Sequence, residues 1–417
     1  MPVGNRNDRR AITLFTLVVA GETIFFLPFV LARIFRPTLL EYFSITNTEL
    51  GIWFSVYGVV AMGAYLVGGS LADRFSARKL MALALWLTSA GGFLMFSLPS
   101  ARLMIWLYAF WGFTTICLFW AAMIRATRIW GGAGFQGRAF GWLEGGRGAV
   151  AALLGSATFL LYSQIHQFGW VILATSALTF LAGIMVWVLV PDYAPEKVRV
   201  KWNEVVQRSL ILLKIPSIWL LIIVIICAYS GYKITDDFSL FAKEVLGFSE
   251  VHAAGVGTAA LWLRAIVAIL AGILADRFSR VHVIVLSFGL TIVGGLLIGL
   301  GILNSVLGFV LMNLTITAAG IYGVRALYFA VLEEARIPLV LTGTAVGIIS
   351  FAGFAPEIFV SPLMGHLLDQ NPGVVGHKHV FLLLVIFAVV GLVTSLGFST
   401  FTSKVKLQSQ CNHENAD

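Results

Sequence analysis

The chain has 417 residues, of which 59% are hydrophobic and only 12% are charged, and its formal net charge is +8. Soluble globular proteins carry roughly 25% charged residues, so the composition excludes a soluble protein and indicates a polytopic membrane protein. Cytoplasmic loops of such proteins are rich in lysine and arginine, which explains the positive charge without a nucleic-acid partner. The three cysteines give no disulfide framework.

Twelve apolar segments follow one another along the chain, and each is long enough to cross about 30 Å of hydrocarbon as an α-helix. The predicted spans are 11–35, 48–71, 80–98, 103–127, 138–162, 169–190, 216–240, 253–275, 281–302, 306–330, 341–367 and 380–402. The sequence therefore predicts an all-α membrane protein with twelve transmembrane helices.

The longest polar stretch, 191–214, divides these spans six and six. We interpret it as a linker between an N-terminal half at 1–190 and a C-terminal half at 215–403, followed by a tail at 404–417. With both termini in the cytoplasm, 19 of the 28 lysines and arginines lie on the cytoplasmic side and 5, including Arg33 and Arg36, lie outside. This imbalance favours that orientation and predicts a multi-pass protein of a bacterial inner membrane.

A charged hexapeptide, LADRFS, occurs twice, beginning at Leu71 and at Leu274, 203 residues apart. Each copy lies in a short cytoplasmic turn after the second span of its half. Internal repeats in parallel orientation are typical of secondary transporters. The offset therefore predicts two six-helix halves related by a parallel pseudo-repeat.

The residue types in these turns suit contacts that hold two bodies together and later release them. Glycines let another backbone come close, aspartates favour the positive end of a neighbouring helix, and arginines pair with carboxylates or lipid phosphates. The predicted gating residues are Gly69, Asp73, Arg74, Arg78, Asp276 and Arg277. The alternative is a turn that is basic only because it faces the cytoplasm.

The segment GGSLADRFSARKL, residues 68–80, resembles the signature G-x-L-a-D-r-x-G-r-[KR] of the major facilitator superfamily, with Ser76 where that family usually has glycine. The resemblance implies the fold of that superfamily and transport by alternating access. Residues 229–249 and 343–369 resemble the seventh and eleventh helices of its organophosphate and organic-anion branch. The first span lacks the arginine pattern of the phosphate-ester carriers, and the fifth lacks the proline of drug/proton antiporters.

An ionisable side chain at the middle of a membrane costs about 2.5–3.5 kcal/mol even on the gentler scales, so it usually faces the protein interior. Four cations in spans and one nearby tyrosine are the predicted substrate-binding residues: Arg147, Lys233, Arg264, Arg325 and Tyr232. Arg147 can also pair with Glu144, one turn earlier, and Arg325 can instead extend to the cytoplasmic surface. Arg264 needs an anion, which is either a carboxylate across a cavity or the substrate.

Four carboxylates in spans are the predicted proton-coupling residues: Glu22, Asp236, Asp237 and Glu357. For Glu22, a structural hydrogen bond is the alternative. Lys233 shares a helix face with the two aspartates by i,i+3 and i,i+4 spacing, and such carboxylates can share a proton or act as an outer latch. Pro356 is expected to bend the eleventh span, and the symmetry of the halves would place Glu357 across a cavity from Arg147.

These charges predict a secondary active transporter that moves a small polar, anionic organic solute together with protons. The expected partners are the solute, protons and membrane lipids, for a monomer that binds no nucleic acid. The sequence has no phosphate-binding loop, zinc motif or nucleophile motif, so we expect no cofactor, no metal and no enzyme activity. A drug or metabolite efflux carrier and a transporter-like membrane sensor are the alternatives.

Overall fold

The computed structural model describes residues 6–132, 136–192, 210, 212–302, 306–328, 348–349 and 351–414. Within these ranges, eleven helices are long and apolar enough to cross a membrane, and a bent pair at 47–74 makes a twelfth. In chain order they are α1 (Arg10–Ile34), α2 (Asn47–Arg74), α3 (Ala77–Phe96), α4 (Ala101–Gly131), α5 (Arg138–Ile165), α6 (Phe168–Leu189), α7 (Pro216–Glu244), α8 (Glu250–Arg277), α9 (Arg280–Gly299), α10 (Leu307–Leu327), α11 (Phe351–Gln370) and α12 (Val374–Phe401).

Each predicted span overlaps one of these helices, and the described ranges contain no strand. The predicted all-α membrane fold is therefore confirmed. Most of the predicted linker and the first residues of the predicted eleventh span lie outside the described residues. The helix of α12 continues as far as Glu414, into the segment predicted as a tail.

Three of the helices contain a stretch with a different helical spacing. α1 widens into a π-helix at Phe26–Val30, where Pro28 has no N–H to donate to the preceding turn. α4 contains a π-helix at Phe113–Trp120, and α7 narrows to a 3-10 turn at Thr235–Asp237. π-helical turns inside α-helices are frequent at functional sites. Each break also moves the side chains that follow it out of regular α-helical register.

The repeat is visible in the helix boundaries. α2 begins at Asn47 and ends at Arg74, while α8 begins at Glu250 and ends at Arg277, so both boundaries are 203 residues apart. The boundaries of α3 and α9 keep the same offset. Helices that begin and end at equivalent positions agree with the predicted parallel pseudo-repeat.

The chain forms two compact units. The first comprises Met1–Val198, Asp236–Ala265 and Glu357–Asp369, and the second comprises Arg199–Thr235, Ile266–Pro356 and Gln370–Asp417. The first unit therefore includes parts of α7, α8 and α11 in addition to α1–α6. A division into halves at 191–214 stays a prediction.

Within the first unit, α2 crosses α11 and α5 crosses α8 at positions that the repeat relates. A Cβ on Gly58 would lie 3.1 Å from Ile358 Cγ1, and a Cβ on Gly155 would lie 2.8 Å from Leu261 Cδ1. Positions 58 and 261 are equivalent under the offset of 203, and so are positions 155 and 358. Each crossing thus packs one glycine against one large side chain. At the first crossing the glycine is on α2, and at the second it is on α5, which is the repeat equivalent of α11.

The α2–α11 contact is closest at the end of the helices where α2 begins, which we call the far end. The opposite end of the first unit, with the first LADRFS turn, is the motif end. A Cβ on Gly51 would lie 2.6 Å from Pro362 Cα, and a Cβ on Gly365 would overlap the carbonyl oxygen of Asn47. Both neighbours are backbone atoms, so no side-chain rotation would relieve the overlap. Small residues are therefore required at these two positions.

We expect Gly365→Ala to lower the melting temperature of the purified protein, because the added methyl group separates α2 from α11. Overpacking of this kind costs about 1–3 kcal/mol. Gly69→Ala is the matched control, since a Cβ there would meet no atom of the described residues within 4 Å and alanine favours a helix over glycine. Equal melting temperatures for the two variants would contradict the α2–α11 contact.

Candidate functional site

Three of the predicted charged residues meet inside the first unit. Glu22 of α1 lies between Arg147 of α5 and Arg264 of α8. Arg147 Nε is 3.4 Å from Glu22 Oε2, and Arg264 Nη1 is 4.0 Å from Glu22 Oε1. The three side chains are 3%, 10% and 12% exposed, respectively. One carboxylate is therefore shared by two guanidinium groups away from bulk water; we call these three residues the Glu22 cluster.

Gly21 explains how Arg147 reaches Glu22. A Cβ on Gly21 would lie 3.2 Å from Arg147 Cδ, so a larger residue would obstruct the arginine. The carbonyl oxygen of Gly21 accepts a hydrogen bond from Arg147 Nε at 3.0 Å. The dipeptide Gly21–Glu22 thus offers a carbonyl and a carboxylate to the same guanidinium, one turn before the π-helix that begins at Phe26.

Arg147 is held from several sides. Its Nη1 lies 2.7 Å from Glu144 Oε1, which confirms the pairing expected from their i,i+3 spacing. Its guanidinium also lies 5.6 Å from the ring centroid of Phe25 and 5.5 Å from that of Trp120, and each such contact contributes about 0.5–2 kcal/mol. This environment suits an arginine that positions Glu22. A role of Arg147 in binding substrate stays a prediction.

Arg264 was expected to need an anion, and the anion found near it is the carboxylate of Glu22. Their separation of 4.0 Å is the longest in the Glu22 cluster. Breaking the contact of Glu22 with Arg264 would therefore cost less Coulomb energy than breaking its contact with Arg147, which is 3.4 Å long. An incoming anion would thus replace Glu22 more easily at Arg264.

A second buried ion pair lies at the far end of the first unit. Arg33 Nε of α1 is 2.5 Å from Asp236 Oδ1 of α7, and both side chains are 2% exposed. The two residues are 203 positions apart, which is the offset of the LADRFS repeat. The pair therefore joins equivalent positions of the two repeats. The shared helix face predicted for Lys233 and Asp236 stays a prediction. Arg33 was not predicted as a partner of Asp236, because it was counted among the charges on the outer side.

Arg36 is also buried, with an exposed fraction of only 1%, although sequence counting placed Arg33 and Arg36 among the charges on the outer side. The chain after α1 continues as a short helix, Arg36–Phe43, and Arg36 donates to Asn47 Oδ1 at 2.9 and 3.0 Å. Burial lowers the pKa of Arg36, while the nearby Asp237 and Asp236 oppose that shift. Both arginines therefore belong to the protein interior, a role that sequence reasoning missed.

Two further carboxylates join helices at the far end, and sequence reasoning named neither. Asp369, near the end of α11, accepts hydrogen bonds from the backbone N–H groups of Asn47 and Thr48 at 3.1 and 2.7 Å. Asp369 thereby provides acceptors for N–H groups at the start of α2 that have no partner within the helix. Its negative charge is also favourable beside the positive end of the helix dipole. Glu250, the residue equivalent to Asn47, accepts bonds from three side chains: Tyr162 at 2.6 Å, Lys243 at 2.8 Å and Thr38 at 3.2 Å.

In the second unit, two predicted substrate-binding residues lie together. The guanidinium of Arg325 is 3.6 Å from the ring centroid of Tyr232 and 5.8 Å from that of Tyr229. Tyr322 adds an edge contact to Tyr232 at 6.4 Å. Lys233, one residue further along α7, is 1% exposed. The second unit therefore holds a cationic and aromatic cluster, and its role in binding stays a prediction.

Glu357 lies in the first unit against α2. The helical turns of α11 are interrupted at 354–355, and a regular helix begins at Pro356, in line with the expected bend. A Cβ on Gly58 would lie 3.1 Å from both Cβ and Cγ of Glu357, and Glu357 is 6% exposed. Glu357 therefore packs beside a glycine of α2, while its predicted position opposite Arg147 stays a prediction.

Comparison with known proteins identifies the family. The family model described as Major Facilitator Superfamily matches residues 14–335. The chain belongs to the Major Facilitator Superfamily. Two Escherichia coli K12 proteins are similar over nearly their whole length: inner membrane protein YqcE at 31% identity, covering 94% of this chain and 95% of that protein, and inner membrane protein YihN at 28%, covering 91% and 93%.

Solved structures of this superfamily share the fold. A bacterial homolog of the human lysosomal transporter Spinster, in an inward-facing and unoccupied conformation, has a TM-score of 0.73 at 15% identity and covers 96% of this chain and 99% of its own. The nucleoside transporter NupG has a TM-score of 0.70 at 14% identity, with 94% and 98% covered. The predicted superfamily fold and multi-pass membrane character are thus confirmed.

The glycines of the superfamily signature differ in their contacts. Gly69 was expected to allow close approach of another backbone; among the described residues, a Cβ there would meet nothing within 4 Å, and the same holds at Gly272. The role of Gly69 in gating stays a prediction. The close contact is at Gly68, where a Cβ would lie 3.1 Å from the carbonyl oxygen of Cys117 in α4. Neighbouring helix positions point about 100° apart, so a shift of one residue changes which helix the glycine faces.

Ser76, which replaces the usual glycine of the signature, forms contacts of its own. Its hydroxyl donates to Asp192 after α6, and Arg78 Nη2 donates to the same carboxylate at 2.9 Å. The Ser76 hydrogen bond and the Arg78 charge hold the pKa of Asp192 below its usual value. These bonds tie the α2–α3 turn to the end of α6. The side chains of four other predicted gating residues are exposed: Asp73, Arg74, Asp276 and Arg277.

A double-mutant cycle measures the far-end ion pair. Arg33→Ala and Asp236→Ala should each destabilise the protein by about 3–5 kcal/mol, because each leaves a buried charge without its partner. The double variant should lose clearly less than the sum, since neither charge remains. Thermal unfolding of the four proteins in the same detergent gives the coupling. Additive losses would contradict a direct pair, and the exposed Arg102→Ala serves as the control for loss of an arginine.

Proposed function

We propose that this member of the Major Facilitator Superfamily moves a small polar organic anion across a bacterial inner membrane by alternating access, together with protons. The observation that carries the proposal is the Glu22 cluster, in which one carboxylate lies within 4.0 Å of the guanidinium groups of both Arg147 and Arg264. A carboxylate, sulfonate or phosphate of the solute can take the place of Glu22 beside Arg264, because it offers the same charge and the same oxygen acceptors.

The same geometry supports proton coupling. When an anion approaches Arg264, the negative charge of Glu22 repels it, and a proton on Glu22 removes that repulsion. The proton and the anion therefore favour each other's binding, as symport requires. Asp236, Asp237 and Glu357 remain further candidates for a proton, and Lys233, Tyr232 and Arg325 remain candidates for contacts to the solute.

Alternating access requires contacts at one end to break while those at the other end form. At the far end, these would be the Arg33–Asp236 pair and the bonds from α2 to Asp369. At the motif end, the predicted gating residues are Gly69, Asp73, Arg74, Arg78, Asp276 and Arg277. The excess of lysine and arginine supports a cytoplasmic motif end, and burial of Arg33 and Arg36 reduces the basic charge that the other side exposes to water.

We expect organic anions, and not lipophilic cations, to raise the melting temperature of the purified protein. A ligand at 100 times its dissociation constant stabilises by about 2.7 kcal/mol. The panel would contain sugar acids, sugar phosphates, sulfonates, carboxylates and lipophilic cations. Arg264→Ala should abolish the effect, Arg264→Lys should retain part of it because the charge remains, and the exposed Arg102→Ala should behave as wild type. Stabilisation by cations alone would favour an efflux carrier instead.

The coupling is tested by the pH dependence of anion binding. In the wild type, binding of one proton with one anion should tighten affinity by up to about tenfold for each unit that the pH falls between 7.5 and 5.5. Glu22→Gln, which stays neutral, should bind the anion with an affinity that hardly changes over this range. Titration calorimetry at several pH values measures both. A Glu22→Gln protein with the same pH dependence as wild type would exclude Glu22 as the coupling residue.

A further inference from the structure

A groove of about 540 Å³ lies at the motif end of the first unit, between the start of α1 and the start of α5. Its volume is within the range of roughly 300–1,000 Å³ that small-molecule sites occupy. The residues that matter here are Arg10, Leu14 and Val18 of α1, Trp130 of α4, and Trp142 and Gly146 of α5. The groove is therefore apolar along its walls, with two indole rings and one arginine.

The arginine and one of the indoles are fixed to each other. Arg10 Nη2 donates to the carbonyl oxygen of Trp130 at 3.0 Å, and Trp130 Nε1 donates to the carbonyl oxygen of Arg10 at 2.8 Å. The guanidinium lies 5.3 Å from the Trp130 ring centroid, and Trp142 meets Trp130 edge-on at 6.0 Å. The side chain of Trp142 remains 55% exposed. An aromatic surface beside a positive charge is thus held in place and open to a ligand.

The groove leads towards the Glu22 cluster. Val18 lies one helical turn before Glu22 on α1, and Gly146 directly precedes Arg147 on α5. A Cβ on Gly146 would lie 2.7 Å from Val18 Cγ1, so the two helices touch at the deep end of the groove. A molecule lying along the groove would therefore have one end at the positively charged entrance and the other within one turn of Glu22 and Arg147.

We infer that this groove binds the apolar part of an amphipathic organic anion, such as an aryl or alkyl carboxylate, and thereby selects such anions over compact hydrophilic ones. The inference rests on the proposed function, since it assumes an anionic solute. A strongly hydrated anion gains nothing from the walls formed by Leu14, Val18 and the indoles. An anion with an aromatic or alkyl group buries apolar surface there and adds aromatic contacts with Trp142.

The test compares two carboxylates, 3-phenylpropionate and gluconate, by titration calorimetry with the full-length protein in detergent. The wild type should bind 3-phenylpropionate at least about tenfold more tightly, and Trp142→Ala should weaken that binding by about tenfold. Gluconate affinity should change by less than about twofold. Trp106→Ala, which removes a 72% exposed tryptophan near the start of α4, is the matched control and should leave both affinities unchanged. Leu14→Gln provides a second variant with the same expected selectivity loss.

Four results would overturn the inference. Equal wild-type affinities for the two carboxylates would show that the groove does not select an apolar group. Carboxylate binding that depends on Arg264 but not on Trp142 or Leu14 would remove the groove while leaving the proposed function intact, whereas absence of any anion binding would remove both. Loss of bound phosphatidylglycerol from Trp142→Ala in native mass spectrometry, with unchanged 3-phenylpropionate affinity, would assign the groove to a membrane lipid.

Discussion

Charge that is removed from water must be neutralised inside the protein, and the first unit is organised around this requirement. An isolated buried ion costs several kcal/mol, and an opposite charge repays this only at close range. Arg33 and Asp236 satisfy this requirement as a pair of one cation and one carboxylate, 2.5 Å apart. The Glu22 cluster meets it differently, because two guanidinium groups share one buried carboxylate at 3.4 and 4.0 Å. The first arrangement suits a latch, and the second leaves room for an exchange of anions.

The sequence predicts the parts of this structure that depend on local chemistry or on repetition. Span lengths follow from apolar runs, and the parallel repeat follows from the two LADRFS segments. The ionisable residues of the Glu22 cluster were recognisable because charges are rare in apolar spans. Their partners were harder to recognise. The pairing of Glu144 with Arg147 follows from their i,i+3 spacing, but the contact of Glu22 with Arg264 joins α1 to α8, and no local sequence pattern encodes it.

The far-end pair was missed because Arg33 was counted among the basic residues on the outer side. Counting charges assigns Arg33 to one side of the membrane, but it does not show that this side chain is buried against a residue of α7. One signal could have found Arg33, namely its separation of 203 residues from Asp236. A residue near the axis that relates two repeats lies close to its own equivalent, so comparing each charge with its repeat partner would have brought these two together.

Helices α1 and α8 connect the Glu22 cluster with the Arg33–Asp236 pair. Glu22 and Arg33 both lie on α1, separated by the π-helix at Phe26–Val30. α8 carries Arg264 and also Gly257, where a Cβ would lie 2.9 Å from Ile34 Cα. Close-packed backbones of this kind cannot slide freely past each other. Under the proposed function, any movement of α8 that accompanied exchange of Glu22 for a solute anion would therefore also move the backbone beside Arg33, without a contact between the solute and the Arg33–Asp236 pair.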